Sequence, residues 1–184
     1  MSEAIALKSI DELFSLFEQY GNEHYGEGVS QSLHMRQCAT LAEQEDAGDA
    51  LIAAALLHDI GHFHAYEHNA NYEQDFHHER VGVTMLDTLF PKQITDPIRL
   101  HVAAKRYLCA KDDGYLNSLS EASKQSLAVQ GGPMTEKQMR SFEQSNSFSN
   151  AIALRRYDDE GKKIDQGAAP LSYFRPLLER LIKN

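Results

Sequence analysis

The chain has 184 residues, a net charge of −9, 42% hydrophobic and 24% charged residues, and two cysteines, Cys38 and Cys109. Its length suits one domain with a real core, expected over residues 1–184. The acidic balance argues against a nucleic-acid partner, no apolar run approaches the ~20 residues of a membrane span, and the cysteines are too few for a disulfide framework.

The start of the chain lacks the charged-then-apolar pattern of a secretory signal, so the cytoplasm is the expected setting. Residues 8–20 carry Ile10, Leu13, Phe14, Leu16 and Phe17 at helical spacing, and Gly21-Asn22 breaks that helix. A polar loop with two glycines around Glu27 follows. Ser30 is a good N-cap for a second helix that carries His34, with Met35, Cys38, Leu41 and Ala42 as its buried stripe. A third helix runs from Ala50 to about His58, and Gly61 is expected to end it. Residues 63–76 are polar and irregular and read as a long loop, with His64 and His68 in solvent.

A fourth helix is expected from about His77 to Leu89, stopped by Pro91. Asp96-Pro97 reads as the start of a fifth, which places His101 and Lys105 on one face. Ser120 to Gln130 makes a sixth helix with Ser123 and Gln130 on a shared face. Thr135 and Gln138 form a capping box that opens a seventh. Ser149 to Tyr157 is an eighth, with Arg155 and Asp158 near its end, and the last spans about Leu171 to Ile182. No segment reads as a strand or a repeat, so the fold class is all-α.

The chemistry concentrates around Ala53–His62, where an apolar run leads into His58-Asp59. A buried His-Asp pair needs a partner. His34, His58-Asp59, one of His77 and His78, and His101 fall on separate predicted helices, and Asp158 lies on a further one. Helical bundles build metal sites from facing helices in this way. Adjacent helix residues point about 100° apart, so His58 can bind one ion while Asp59 bridges to a second. His34, His58 and Asp59 are expected to hold the first ion, and His78, His101 and Asp59 the second. A single His-Asp pair is usually a salt bridge or a helix cap, but the whole set on separate helices points to metal. Nitrogen and oxygen ligands without thiolate suit iron or manganese.

These residues resemble the HD-domain superfamily, whose pattern is matched by His34, His58-Asp59 and His101. Further stretches resemble a narrower group, the mixed-valent diiron HD-domain oxygenases that cleave carbon–phosphorus bonds. They are His101–Leu108, Leu119–Ser123, Gln130–Met134 and Leu154–Asp158. The resemblance implies an HD-domain helical bundle with iron ligands at His34, His58, Asp59, His78, His101 and Asp158. His78 is preferred over His77 through the motif His78-Glu79-Arg80-Val81-Gly82. It also implies phosphonate contacts at His62, Lys105, Ser123, Gln130 and Arg155. The implied reaction uses an Fe(II)/Fe(III) pair and O2 on a 1-hydroxy-2-(amino or trimethylammonio)ethylphosphonate, releasing phosphate and glycine or glycine betaine.

The group carries a tyrosine three residues before the position of Glu27, where it gates an iron until the glutamate engages the substrate's nitrogen end. This chain has His24 there and Tyr25 one residue nearer, so either could serve as the gate. Two other readings use the same ligands. One is an HD-type phosphohydrolase acting on a nucleotide or phosphomonoester through a metal-bound hydroxide. The other is a non-catalytic helical module that keeps metal for stability. Nothing in the sequence names an oligomeric state.

Overall fold

The computed structural model describes residues 5–24, 28–67 and 75–183. Among them there are helices and no strands, in agreement with the all-α reading. Helix α1 (Ile10–Tyr20) starts at Ser9, whose side chain accepts from the Glu12 N–H. Ser30 caps α2 (Gln31–Gln44) in the same way, through the Leu33 N–H. Helix α3 (Asp49–Leu57) has Leu51 through Leu57 all buried. A helix apolar on every side belongs in the middle of a fold. There α3 packs on α2 and on two helices later in the chain, over Lys92–Lys111 and Phe148–Glu160.

Helix α4 (Gly61–Glu67) corrects the sequence reading: Gly61 opens a helix rather than ending one, and the expected loop begins in helical form. Phe63 explains the difference. It is fully buried, with its ring edge-on to Phe17 at 5.1 Å. His64, expected in solvent, is buried too. His68 lies outside the described residues.

Helix α5 (His78–Leu86) follows His77, which adopts a left-handed conformation at φ 55°. Helix α6 (Lys92–Lys111) is a second correction. It starts at Lys92, with Pro91 as its N-cap, ahead of the expected start at Asp96-Pro97, so Pro97 lies in its interior. Ile94 and Ile98 are fully buried and Thr95 nearly so. Burying two isoleucines stabilises by about 1.5–3 kcal/mol each, which outweighs the roughly 3 kcal/mol cost of an interior proline.

Helix α7 (Asp113–Ser118) has no counterpart in the sequence reading; the Asp112 side chain caps it at Gly114 N–H, and none of its residues is buried. Helix α8 (Glu121–Val129) is capped by Ser120, and α9 (Glu136–Glu143) by the expected capping box of Thr135 and Gln138. Helix α10 (Phe148–Glu160) packs along α6 and α2. A 3-10 turn (Leu171–Phe174) and α11 (Arg175–Leu181) stand where one continuous helix was expected. No described helix is long and apolar enough to cross a membrane.

Candidate metal centre

Five elements meet around Asp59. Helix α2 brings His34, the turn between α3 and α4 brings His58 and Asp59, α5 brings His78, α6 brings His101, and α10 brings Asp158. Every one of these side chains is buried. His77, the alternative to His78, has 52% of its side chain exposed and turns to Asp75 instead.

The histidines form two pairs. His34 Nε2 and His58 Nε2 are 3.2 Å apart, and His78 Nε2 and His101 Nε2 are 3.0 Å apart. Asp59 lies between the pairs. Its Oδ2 is 3.6 Å from both His34 Nε2 and His58 Nε2. Its Oδ1 is 3.5 Å from His78 Nε2 and 3.6 Å from His101 Nε2. Asp158 Oδ1 joins the first pair, 3.4 Å from His34 and 3.8 Å from His58.

The outer ring nitrogens decide what the inner ones can do. His34 Nδ1 donates to the Gly161 carbonyl at 2.7 Å, His58 Nδ1 to Ala55 at 2.9 Å, and His101 Nδ1 to Ile98 at 2.7 Å. His78 Nδ1 faces Glu79 Oε2 at 3.9 Å, and that buried oxygen has no hydrogen-bond partner. Rings fixed through Nδ1 turn Nε2 inward, where the neutral form presents a lone pair. Two such nitrogens ~3 Å apart repel unless a cation lies between them, a metal ion for the neutral His78–His101 pair and either a proton on His58 or a metal ion for the His34–His58 pair. The spacing suits one: bonds of ~2.1 Å at a right angle put two nitrogens about 3.0 Å apart.

The electrostatics make the same demand. Burial alone would lower the pKa of His58, but Asp59 and Asp158 outweigh it and hold His58 up at about 9. Burial alone would raise Asp59, yet His58, His62 and His78 keep it well below the usual carboxylate range. Burial pulls His62 and His101 down to about 4 and His78 well below the usual histidine range, so these rings are neutral, the form in which histidine binds metal. Cys38 lies close to His34 but is not a fit ligand. Burial, reinforced by Asp158, pushes its thiol well up, and Sγ donates to the Tyr157 carbonyl. The donor set is therefore imidazole and carboxylate, and it fits a metal cofactor.

A second cluster adjoins Asp158. Lys105 is buried, and its Nζ donates to Ser126 Oγ at 2.7 Å. Ser123, three residues earlier on α8, is buried and receives Lys162 Nζ at 3.3 Å on its Oγ. Arg155 donates through Nη1 to Asp158 Oδ2 at 2.6 Å and through Nε to Tyr115 Oη at 2.9 Å, while Nη2 pairs with Asp159. His62 stacks on His78 with centroids 4.3 Å apart, and its Nε2 is 3.8 Å from Asp59 Oδ1. Gln130 ends α8, and its Oε1 is buried with no hydrogen-bond partner. Tyr25 and Glu27 lie outside the described residues, and His24 is exposed.

Several participants were absent from the sequence reading. Asp159 and Lys162 stand four residues after Arg155 and Asp158, a helical spacing that does carry a signal. Tyr115, Ser126 and the three carbonyl partners carry none.

The HD domain model matches residues 32–127. The chain is 42% identical over 170 residues to the [1-hydroxy-2-(trimethylamino)ethyl]phosphonate dioxygenase (glycine-betaine-forming) of Leisingera caerulea, covering 91% of this chain and 87% of that one. It is 45% identical over 156 residues to the hydroxymethylphosphonate dioxygenase of Gimesia maris, covering 83% and 78%. It is 35% identical over 177 residues to the uncharacterized protein L432 of Acanthamoeba polyphaga mimivirus, covering 94% and 81%.

Proposed function

The chain belongs to the HD-domain family, and from that premise we propose that it is an O2-dependent dioxygenase cleaving the carbon–phosphorus bond of a 1-hydroxyalkylphosphonate. The observation that carries this reading is the two histidine pairs astride one carboxylate, set beside a buried lysine and serine. The substrates named for two relatives share a hydroxyl on the carbon next to phosphorus and differ in what else that carbon bears. A 2-amino or 2-trimethylammonio substrate would yield glycine or glycine betaine together with phosphate.

His34, His58, Asp59 and Asp158 would hold one iron, and His78, His101 and Asp59 the other, of an Fe(II)/Fe(III) pair. Bound there, iron supplies the dioxygen and one-electron chemistry that side chains lack. The chain's own residues bind and orient. Lys105, Ser123, Gln130 and His62 receive the phosphonate oxygens, and Arg155 holds Asp158 in place while facing the same anion. The burial of every assigned ligand keeps bulk water away from the reacting centre. Tyr25 and Glu27 are assigned to the gate and the nitrogen end on the family resemblance.

Hydrolysis of a phosphomonoester would use the same ligands, but two named relatives at 42% and 45% identity are dioxygenases, which favours oxidation. The test is phosphate release by iron-loaded protein from the 2-amino, 2-trimethylammonio and hydroxymethyl substrates, with and without O2. Oxygen-dependent release from at least one is expected, and the preferred substrate names the nitrogen end. Oxygen-independent release from phosphomonoesters, with none from the phosphonates, would overturn the proposal.

A further inference from the structure

We infer that Lys162 is the second lysine of the anion pocket, acting with Lys105 and Ser123 to bind the substrate's phosphonate and the phosphate released. This inference rests on the reading above that the site takes a phosphonate.

Lys162 lies one residue beyond α10 and its C-cap, Gly161, which holds the chain close to α2. A Cβ at Gly161 would lie 2.4 Å from Cys38 Sγ and 3.1 Å from Cys38 N, so only glycine lets the chain come this close to α2. The Gly161 carbonyl holds the His34 ring. The segment that orients a metal-facing histidine is thus the one that aims Lys162. Its ammonium lies 3.3 Å from Ser123 Oγ and 3.4 Å from Asp158 Oδ1, with 12% of the side chain exposed.

The two oxygens of Asp158 face different ways. Oδ2 takes Arg155 Nη1, while Oδ1 faces His34 and His58. Asp158 Oδ1 is thus shared between the histidine pair and Lys162, and would be drawn toward any metal that His34 and His58 held. Arg155 faces the same anion, but much of its guanidinium is already engaged by Asp158, Asp159 and Tyr115, which leaves charge for a lysine to supply. Lys162 and Lys105 then stand at the two serines of one helix face, Ser123 and Ser126. Burial first, then the nearby Arg155, Asp158 and Lys162, set the charge of Lys105, which places these groups in one electrostatic neighbourhood. Two lysines and a hydroxyl suit a dianionic oxyanion. Ser123 and Lys162 also line an open cavity of about 460 Å³ with Tyr115, Leu119, Arg156 and Asp159.

The competing account is that Lys162 only neutralises Asp158. The experiment compares Lys162→Met and Lys162→Arg with the parent, all iron-loaded and full length. Three quantities are read: the Kd for inorganic phosphate by calorimetry, KM and kcat for the hydroxyphosphonates, and iron per chain. Lys162→Met is expected to weaken phosphate binding at least about tenfold and to raise KM in parallel, with a smaller effect on kcat. Iron content should hold, and Lys162→Arg should recover most of the binding. Unchanged phosphate affinity in Lys162→Met, or loss of iron from it, would overturn the inference. If the parent turns over no phosphonate yet Lys162→Met still loses phosphate affinity, the anion site stands and the dioxygenase reading falls.

Discussion

Lys105 is 3% exposed and donates to a single hydroxyl, and burial, reinforced by Arg155, pulls its pKa down to about 7. In the unfolded chain a lysine titrates near ~10.4. The folded pKa is the lower one, so the folded state holds this proton less tightly. The resulting cost to stability is full below pH 7, shrinks as the pH climbs from there toward the unfolded value, and vanishes above it. An anion at the site would offset that cost. Lys105→Met should therefore raise the Tm of metal-free protein, most below pH 7 and less toward pH 10. The same change should raise KM for the phosphonate by about tenfold or more in iron-loaded protein. Melting curves across that range check the first part. A Tm at pH 6 no higher than the parent's would mean that the bond to Ser126 outweighs desolvation.

Helices α4 and α5 cross at glycines, and that crossing sets where His78 stands. A Cβ on Gly61 would lie 2.0 Å from the His78 carbonyl oxygen and 2.9 Å from Gly82 N. Backbone cannot yield that much, so Gly61→Ala must push α5 outward and carry His78 with it. The expected outcome is a loss of about 1–3 kcal/mol of stability, with metal per chain reduced. Gly167→Ala, which meets nothing within 4 Å, is the matched control and should change neither. Metal analysis beside thermal melting decides the matter, and full metal content in Gly61→Ala would show that α5 can shift without moving His78. Gly61 also shows how an element can escape a sequence reading. Glycine followed by polar residues looks like a stop, whereas here it permits two backbones to touch.

Across the whole molecule the centre ties α2, the α3–α4 turn, α5, α6 and α10 to one carboxylate. A metal that binds only the folded chain stabilises it by mass action, about 2.7 kcal/mol at a free concentration of 100 Kd. For a domain of this size each kcal/mol moves Tm by roughly 2–4 °C. Removing the metal with a chelator should thus lower Tm by about 5–10 °C, and adding iron back should restore it. An unchanged Tm in protein shown to be metal-free would mean that the helices hold the ligands together unaided. Packing supports some of that order already, since α3 is buried along its length and α6 lies against α10.

The sequence by itself determined the all-α class, the helix starts at Ser30, Ser120 and Thr135, and the convergent set of His34, His58, Asp59, His101 and Asp158. Those features are local, written in periodicity, capping side chains and the family's motifs. It was mistaken at Gly61, His64 and Pro97, where burial of Phe63, Ile94 and Ile98 overrides the local signal of glycine, polar residues and proline. Only the tertiary structure decided which oxygen of Asp59 faces which histidine pair, that His78 rather than His77 turns inward, and that Arg155 is engaged by Asp158 and Asp159. Those are questions of direction and distance between segments far apart in the chain. They are settled by how the helices pack, which no short stretch of residues encodes.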